Sequence, residues 1–357
     1  MPAAGQTRTG PRRLSSRQHS QTPLRIGVIG VGRIGSMHAE LLATQVDGAE
    51  LAAVHDADEE ASRAAGRDFG VRACASVAEL LDSRDLDAVA ICSSTGTHPD
   101  FIVAAANAGK PIFCEKPISL ELAEVDRALA AVDAAGVPFQ IGFNRRFDPA
   151  HQSVRDAVAN GIVGDPHLVR ISSRDPAPPP IDYIRASGGI FLDMTIHDFD
   201  MARFVTASEV TQVSAHGAVR VDPAIADAGD VDTALVTLVH DNGCLTAIDN
   251  SRQAVYGFDQ RVEVFGSRGM AASDNPSGHT GVVRTADGAH GAPLPYFFLD
   301  RYVPSYVREW EAFVGAVRTG ETPAVTGADA RAPLVIGLAA KRSLEEGRPV
   351  ALDEVDR

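Results

Sequence analysis

Cysteine is scarce. The four in this 357-residue chain, Cys74, Cys92, Cys114 and Cys244, form no CxxC pair. That excludes a zinc ribbon or a disulfide scaffold and fits a reducing cytoplasm. No apolar run approaches the roughly 18 residues that a membrane span needs, so no membrane partner is expected. Positive charge is also short: 33 Lys and Arg stand against 47 Asp and Glu, for a net charge of −14. Nucleic acid and anionic membrane surfaces are therefore poor partners. His38 and the other histidines lack ligand spacing, so no metal site is expected. No internal repeat is visible.

What remains is ordinary for a globular protein, with 45% apolar and 22% charged residues. At roughly 100–200 residues per domain, the length suggests two domains. Residues 1–23 stand apart, with four Arg, no acidic residue and almost no large apolar side chain. Such a stretch cannot repay its ordering entropy and reads as a disordered extension. Arg12-Arg13 has no apolar segment behind it before the first strand, which disfavours an export signal.

From Leu24 the chain alternates strand and helix. Leu24–Ile29 is a two-sided apolar run, as expected for a strand buried in a parallel sheet. Further strands read over 50–55, 88–92, 111–114 and 139–142, with helices from the first glycine turn to about 46 and over 58–69, 99–108 and 120–135. Repeated β-α-β units predict a doubly wound parallel Rossmann sheet over 24–145. Beyond it the rhythm changes. A helix near 150–160, a strand at 167–173, a Pro-rich loop at 175–180 and a helix over 189–205 precede long β stretches at 212–219, 232–240, 244–250, 260–265 and 270–272. Asp241-Asn242-Gly243 is a tight-hairpin signal. Residues 146–357 are thus expected to form an open, mostly antiparallel sheet covered by helices, closed by helices near 302–317 and 328–346.

Gly30-Val31-Gly32-Arg33-Ile34-Gly35 sits at a strand-to-helix junction, and Asp56 ends the next strand 21 positions beyond Gly35. A GxGxxG alone is weak, but this is the context that dinucleotide binding requires. Gly30 allows the tight turn, Gly32 lets amides approach a pyrophosphate, and Gly35 lets helix and strand pack closely. The helix N-terminus then faces the anion. Asp56 accepts hydrogen bonds from ribose hydroxyls and repels a 2′-phosphate, favouring NAD over NADP.

The strand ending at Cys114 runs into Glu115-Lys116-Pro117, at the sheet edge where ligands bind. Together with the glycine motif this triplet resembles the Gfo/Idh/MocA (glucose–fructose oxidoreductase/inositol dehydrogenase) family. The likeness continues through Ser94-Thr95-Gly96-Thr97-His98, through Gly142-Phe143-Asn144-Arg145-Arg146-Phe147, and through the stretches 188–198 and 250–257. The last two are similar to its myo-inositol 2-dehydrogenase branch. The resemblance spans about residues 24–350. It implies an NAD-dependent oxidoreductase that oxidises myo-inositol to the 2-keto compound, with hydride passing to nicotinamide C4. It also implies a homotetramer built by packing the open faces of the second sheets; the strand 232–240, apolar at alternate and intervening positions, fits cover on both faces.

The residues support such chemistry. Asp193 and His197 are spaced i, i+4, which on one helix puts them on a common face. Oxidation of an alcohol needs a base for the hydroxyl proton, and histidine supplies one near neutral pH. A carboxylate beside it favours the protonated ring, while Lys116 stabilises developing alkoxide charge. Asp198 is the rival carboxylate, about 100° further round the helix. The resemblance implies Lys116, Asp193 and His197 as the catalytic trio. Cofactor-binding residues are expected at Gly30, Gly32, Arg33, Ile34, Gly35, Asp56, Ser93, Ser94, Thr95, His98, Glu115 and Lys116. Asn144, Arg146 and Tyr256 join the trio as substrate ligands, with Arg145 read as structural. Two of these stay open: His98 either lines the nicotinamide side or caps the following helix, and Tyr256 either meets the polyol or is a plain sheet aromatic. The Pro-rich run reads as a pocket wall. The alternatives are a family enzyme for scyllo-inositol, chiro-inositol or an aldose, and a non-catalytic NAD-binding regulator, which the presence of Lys116 and His197 disfavours.

Overall fold

The computed structural model describes residues 22–356; the expected extension over 1–23 lies outside them up to residue 21. The first half runs β1 (Leu24–Ile29), α1 (Arg33–Thr44), β2 (Ala49–His55), α2 (Glu59–Phe69), β3 (Arg72–Ala73), α3 (Val77–Leu81), β4 (Ala88–Ile91), α4 (His98–Asn107), β5 (Ile112–Glu115), α5 (Leu122–Ala135) and β6 (Phe139–Gly142). The strands form one parallel sheet in the order β3-β2-β1-β4-β5-β6. Its central strands are buried on both faces along the apolar runs IGVI of β1 and AVAI of β4. Strand order reverses between β1 and β4, which opens a crevice at their carboxyl ends.

The second half runs α6 (Pro149–Ala159), β7 (Pro166–Arg174), α7 (Ile181–Ala186), α8 (Gly189–Asp193), α9 (Ile196–Thr206), β8 (Val210–Ala218), α10 (Pro223–Asp227), β9 (Thr233–His240), β10 (Leu245–Ser251), β11 (Asp259–Gly266), β12 (Gly269–Ser273), β13 (Val283–Thr285), β14 (Gly288–His290), α11 (Phe298–Thr319), α12 (Gly327–Glu346) and β15 (Val350–Ala351). Seven strands form a sheet in the order β12-β11-β7-β10-β9-β8-β15. Every pairing is antiparallel except β7 with β10. The Asn242-Gly243 turn joins β9 to β10, with Gly243 at a φ of 84°.

One face of this sheet packs on apolar side chains of α9 and α12, among them Phe199, Val205 and Ile336. The other face is bare: Leu235 and Met270 are 61% and 56% exposed. Along β9 buried and exposed positions alternate, so the two-sided cover expected there is not supplied within one chain.

Two further expectations need correction. The helix over 302–317 does not close the second sheet. As α11 it packs Tyr302, Tyr306, Trp310 and Phe313 against Ile26, Val28, Ala90 and Phe113 of the first sheet. The reason is complementarity: its aromatic stripe meets the apolar face that β1, β4 and β5 leave uncovered. The helix over 189–205 is broken at Met194-Thr195. The Thr195 amide reaches back five residues to the Ile190 carbonyl, at 2.9 Å, while its hydroxyl donates to Asn250 Oδ1 on β10 at 2.7 Å. That wide turn separates the faces of Asp193 and His197.

Glu309 on α11 is fully buried, and neither carboxyl oxygen has a hydrogen-bond partner. Burial, with the nearby Glu115 and Asp200 charges, holds its carboxyl well above the ordinary glutamate range. The folded chain therefore keeps a proton that the unfolded chain releases above about pH 4.3. Stability from this group is fully present below that pH and is lost as pH rises towards the raised value. Glu309→Gln is expected to flatten the fall of unfolding free energy with rising pH above about pH 4.3, by up to about 1.4 kcal/mol per pH unit. Denaturant titrations at pH 6 and 8 check this; an unchanged slope contradicts a neutral Glu309.

Candidate active site

The crevice begins at the glycine turn. A Cβ on Gly30 would lie 2.6 Å from the Ser93 backbone, and one on Gly35 would lie 1.8 Å from the Gly30 carbonyl oxygen. Both positions therefore demand glycine. Gly32 caps α1 with open space around it, no side chain caps the helix, and no acidic residue occupies its first turn. The first-turn amides are thus left to an anion, and a pyrophosphate fits them. Asp56 accepts the Val31 amide at 2.7 Å and the Asp58 amide at 2.9 Å, which fixes its carboxylate beside the turn. Arg33 lies exposed over the rings of Phe297 and Phe298, at 5.8 and 5.9 Å. Ile34 packs half-buried against the α11 cluster.

The loop after β4 supplies Ser93, Ser94 and Thr95. The Ser93 hydroxyl lies 2.7 Å from that of Thr97, so the loop is internally braced. His98 neither caps a helix nor lines the crevice. It is 1% exposed, and its ring nitrogens meet the carbonyl oxygens of Ser93 and Pro117, each at 2.9 Å. It pins the β4 loop to the Glu115-Lys116-Pro117 turn.

Lys116 reaches out of the first sheet towards the end of α8. Its Nζ donates to the Asp193 carbonyl at 2.9 Å and lies 3.8 Å from Asp193 Oδ1. The Asp193 carboxylate also accepts from the Tyr183 hydroxyl at 2.8 Å and from Arg252 at 3.3 Å. Arg252 is 1% exposed and lies between Asp193 and Asp230. Asp193 and His197 share no hydrogen bond, which corrects the expected carboxylate–imidazole pair; the wide turn at Thr195 is the cause.

His197 sits edge-on to Phe143, with ring centroids 5.8 Å apart. Its Nδ1 is sealed from solvent with no partner among the described residues, which leaves Nε2 as the nitrogen a ligand reaches. Burial, then the Lys116 and Arg145 cations, hold the imidazole well below its ordinary value. The ring is neutral at pH 7 and ready to accept a proton.

Both arginines after β6 are held by carboxylates. Arg146 binds Asp200 through Nε and Nη2, at 2.8 and 2.6 Å, and Asp329 at 2.9 Å, with Phe204 beneath it. It ties the turn to α9 and α12 and is not supported as a substrate ligand. Arg145 is the one near the base: its guanidinium donates to Asp198 at 2.8 Å and Ser173 at 3.1 Å. Asn144 is buried with an unpartnered Nδ2, a spare donor at the same turn. Asp198 is fully buried and accepts from Asn250 as well, so it is a brace for Arg145 rather than a rival for Asp193. The Tyr256 hydroxyl donates to Asp259 at 2.7 Å and accepts from Arg174 at 2.9 Å, in a polar cluster on the bare sheet face. Its reading as a substrate ligand within the chain is corrected accordingly.

Sequence reading missed Tyr183, Arg252 and Asp175. Burial, opposed by Arg145 and Arg252, raises the Asp175 carboxyl to about 6, and the Asp193 and Asp198 charges add to the rise. The available signals were weak: Asp175 opens the Pro-rich loop, Tyr183 follows it, and Arg252 lies within the 250–257 stretch. Among the described residues no group of three or more His, Cys, Asp and Glu is arranged to hold a metal ion, and no helix is long and apolar enough to cross a membrane. All four cysteines are buried and unpaired.

A parallel sheet with an open helix N-terminus at its switch point and a lysine at its carboxyl edge, joined there by a carboxylate and an imidazole from a second sheet domain, defines a dinucleotide-dependent oxidoreductase. Residues 24–143 match the Gfo/Idh/MocA oxidoreductase family with its NAD-binding Rossmann fold, and residues 151–272 match the C-terminal domain of the same family. The chain belongs to this family. It is 52% identical to myo-inositol 2-dehydrogenase of Thermotoga maritima over 333 residues, covering 93% of this chain and 99% of the relative. The structure of a myo-inositol dehydrogenase from Corynebacterium glutamicum superposes with a TM-score of 0.88 at 39% identity, covering 92% of this chain and 99% of that one. One from Lactobacillus casei, solved with NAD(H) and myo-inositol, has a TM-score of 0.83 at 27% identity, covering 92% and 97%.

Asp56→Ser removes the carboxylate that would oppose a 2′-phosphate. The ratio of kcat/KM with NADP to that with NAD is expected to rise at least ~10-fold. An unchanged ratio in parallel initial-rate assays contradicts the assignment of Asp56.

Proposed function

We propose that the chain is an NAD-dependent inositol 2-dehydrogenase, oxidising myo-inositol at C2 to the 2-keto compound. The observation that carries this is the contact of Lys116 with Asp193 beside a neutral His197. The names of the relatives give the substrate class. Residues 24–145 serve the cofactor and 146–357 the substrate and partner copies.

Bound NAD supplies the ring that accepts hydride from the substrate carbon. The chain's residues handle the proton and the charge. His197 takes the hydroxyl proton at Nε2, and the Lys116 ammonium, spending one donor on the Asp193 carbonyl, has two left to stabilise the alkoxide oxygen. Asp193, held by Tyr183 and Arg252, accepts a hydrogen bond from a neighbouring hydroxyl. Asp175 and the spare Nδ2 of Asn144 offer an acceptor and a donor to further hydroxyls. Such matched polar groups are what separates one polyol stereoisomer from another. The bare face of the second sheet, with Leu235, Leu245, Phe265 and Met270 exposed, is suited to another copy of the chain in a homotetramer. A cytoplasmic setting accords with four unpaired thiols.

Lys116→Met is expected to lower kcat at least ~10³-fold while NAD affinity changes less than about 3-fold. NADH absorbance with myo-, scyllo- and chiro-inositol and aldoses as substrates tests both the role and the substrate. Retained turnover refutes the role of Lys116, and preference for an aldose refutes the substrate.

A base whose pKa is lowered stays deprotonated, and so active, to lower pH. The acid limb of kcat/KM is therefore expected below pH 6.5, the ordinary histidine value. A limb at or above that value contradicts His197 as the base in this setting.

A further inference from the structure

His38 lies on α1, three residues beyond the last glycine of the turn, and is fully buried. The Trp310 indole N–H, from α11, donates to His38 Nδ1 at 2.9 Å. His38 Nε2 lies 2.8 Å from Glu115 Oε1, and Glu115 Oε2 accepts the Lys116 amide at 3.2 Å. An indole nitrogen can only donate, so Nδ1 must accept. A neutral ring accepting at Nδ1 carries its proton on Nε2 and gives that hydrogen bond to Glu115. A doubly protonated ring would set one N–H against the indole N–H. Trp310 therefore fixes the His38 tautomer, and both Glu115 oxygens act as acceptors.

The surroundings allow little else. Phe113, Tyr306 and Trp310 flank the imidazole edge-on at 5.3, 5.5 and 5.7 Å. A Cβ on Gly142 would lie 3.2 Å from the Glu115 carboxyl carbon, so a larger residue on β6 would press on that carboxylate. Glu115, expected as a cofactor ligand, is turned inward with 13% side-chain exposure.

We infer that Trp310, His38 and Glu115 form a chain of positioning residues that sets the Lys116 turn relative to the nucleotide-binding helix. The chain starts on α11, passes through the helix whose N-terminus faces the pyrophosphate site and ends on the peptide that carries Lys116. Three elements distant in sequence are thereby locked in one register, and a displacement of α1 is transmitted to the ammonium that stabilises the alkoxide. This rests on Lys116 acting as in the proposed reaction. It adds that its placement is controlled by groups that never meet the substrate.

The test uses the full chain with NAD and myo-inositol. His38→Leu removes both hydrogen bonds, whereas His38→Gln offers an amide oxygen to the indole and an amide N–H to Glu115. His38→Leu is expected to lower kcat about 30-fold or more, with KM for NAD and inositol within about 3-fold, since small misplacement at a reacting centre costs up to ~10²-fold. His38→Gln is expected to stay within about 5-fold of the parent. Equal kcat for the two variants, or a loss carried by KM, overturns the inference. Trp310 is the single tryptophan of the chain, so its emission reads this contact directly. Emission should shift in His38→Leu and not in His38→Gln. Should His38→Leu fail to fold, the ring nitrogens of His38 in the parent decide by ¹⁵N NMR: a proton on Nε2 alone supports the chain. A proton on Nδ1 overturns it. Lys116→Met separates the two readings. Turnover retained there overturns the role of Lys116 in the reaction, while the tautomer result still decides the hydrogen-bond chain.

Discussion

One contact organises this molecule: the Lys116 ammonium against the last turn of α8, 2.9 Å from the Asp193 carbonyl. Lys116 belongs to the carboxyl edge of a parallel sheet and Asp193 to a helix laid on a different sheet. Everything between serves to hold that ammonium within hydrogen-bond distance of that carbonyl. α12 packs Leu334 into the core of the first domain and Ile336, Ala339 and Ala340 into that of the second. α11, though it follows the second sheet in sequence, fills the aromatic face of the first. The two domains are thus built with shared helices, and the crevice between them is a rigid feature of packing.

Rigidity there is achieved at electrostatic expense. Arg252, Arg145 and Arg146 are all buried or nearly so, and moving an ion from water into a protein interior costs several kcal/mol unless it is well paired. Each has carboxylates within reach: Asp193 and Asp230 for Arg252, Asp198 for Arg145, Asp200 and Asp329 for Arg146. Apolar residues of the same volume would serve stability as well or better. What ion pairs add is direction, since a guanidinium fork fixes the carboxylate it meets. Arg252 fixes Asp193, Arg145 sits beside the base, and Arg146 fastens the turn between them.

Much of this was legible in the sequence because it follows from periodicity or from backbone demands. Two-sided apolar runs gave the parallel strands, and Gly30 and Gly35 announced a turn that no larger residue can make. Asp56 was singled out by motif and position, and Lys116, Asp193 and His197 by the family resemblance. The partners of those residues were not, because which side chain a guanidinium meets depends on elements far apart in sequence. Arg145 and Arg146 are adjacent and chemically identical, and only the turn after β6 decides which faces His197. The i, i+4 spacing of Asp193 and His197 misled for a related reason: it assumes a regular helix, and a tertiary hydrogen bond from Thr195 to Asn250 widens that turn. Aromatic residues of α11 read as a closing helix correctly, but nothing local names the sheet they close.

In the proposed reaction, the absence of a carboxylate on His197 changes what the base must do. Paired with an aspartate it would welcome a proton and hold it. Beside Lys116 and Arg145 it is a weaker base, protonated only against the field of two cations. The same field favours the alkoxide, so the cost of charging the imidazole is offset by stabilisation of the oxygen that loses the proton. Around the crevice three cations, Lys116, Arg145 and Arg252, face four carboxylates, Asp175, Asp193, Asp198 and Asp230. The group holds no excess of positive charge, so nothing in it favours a phosphorylated or acidic sugar over the uncharged polyol of the proposed reaction.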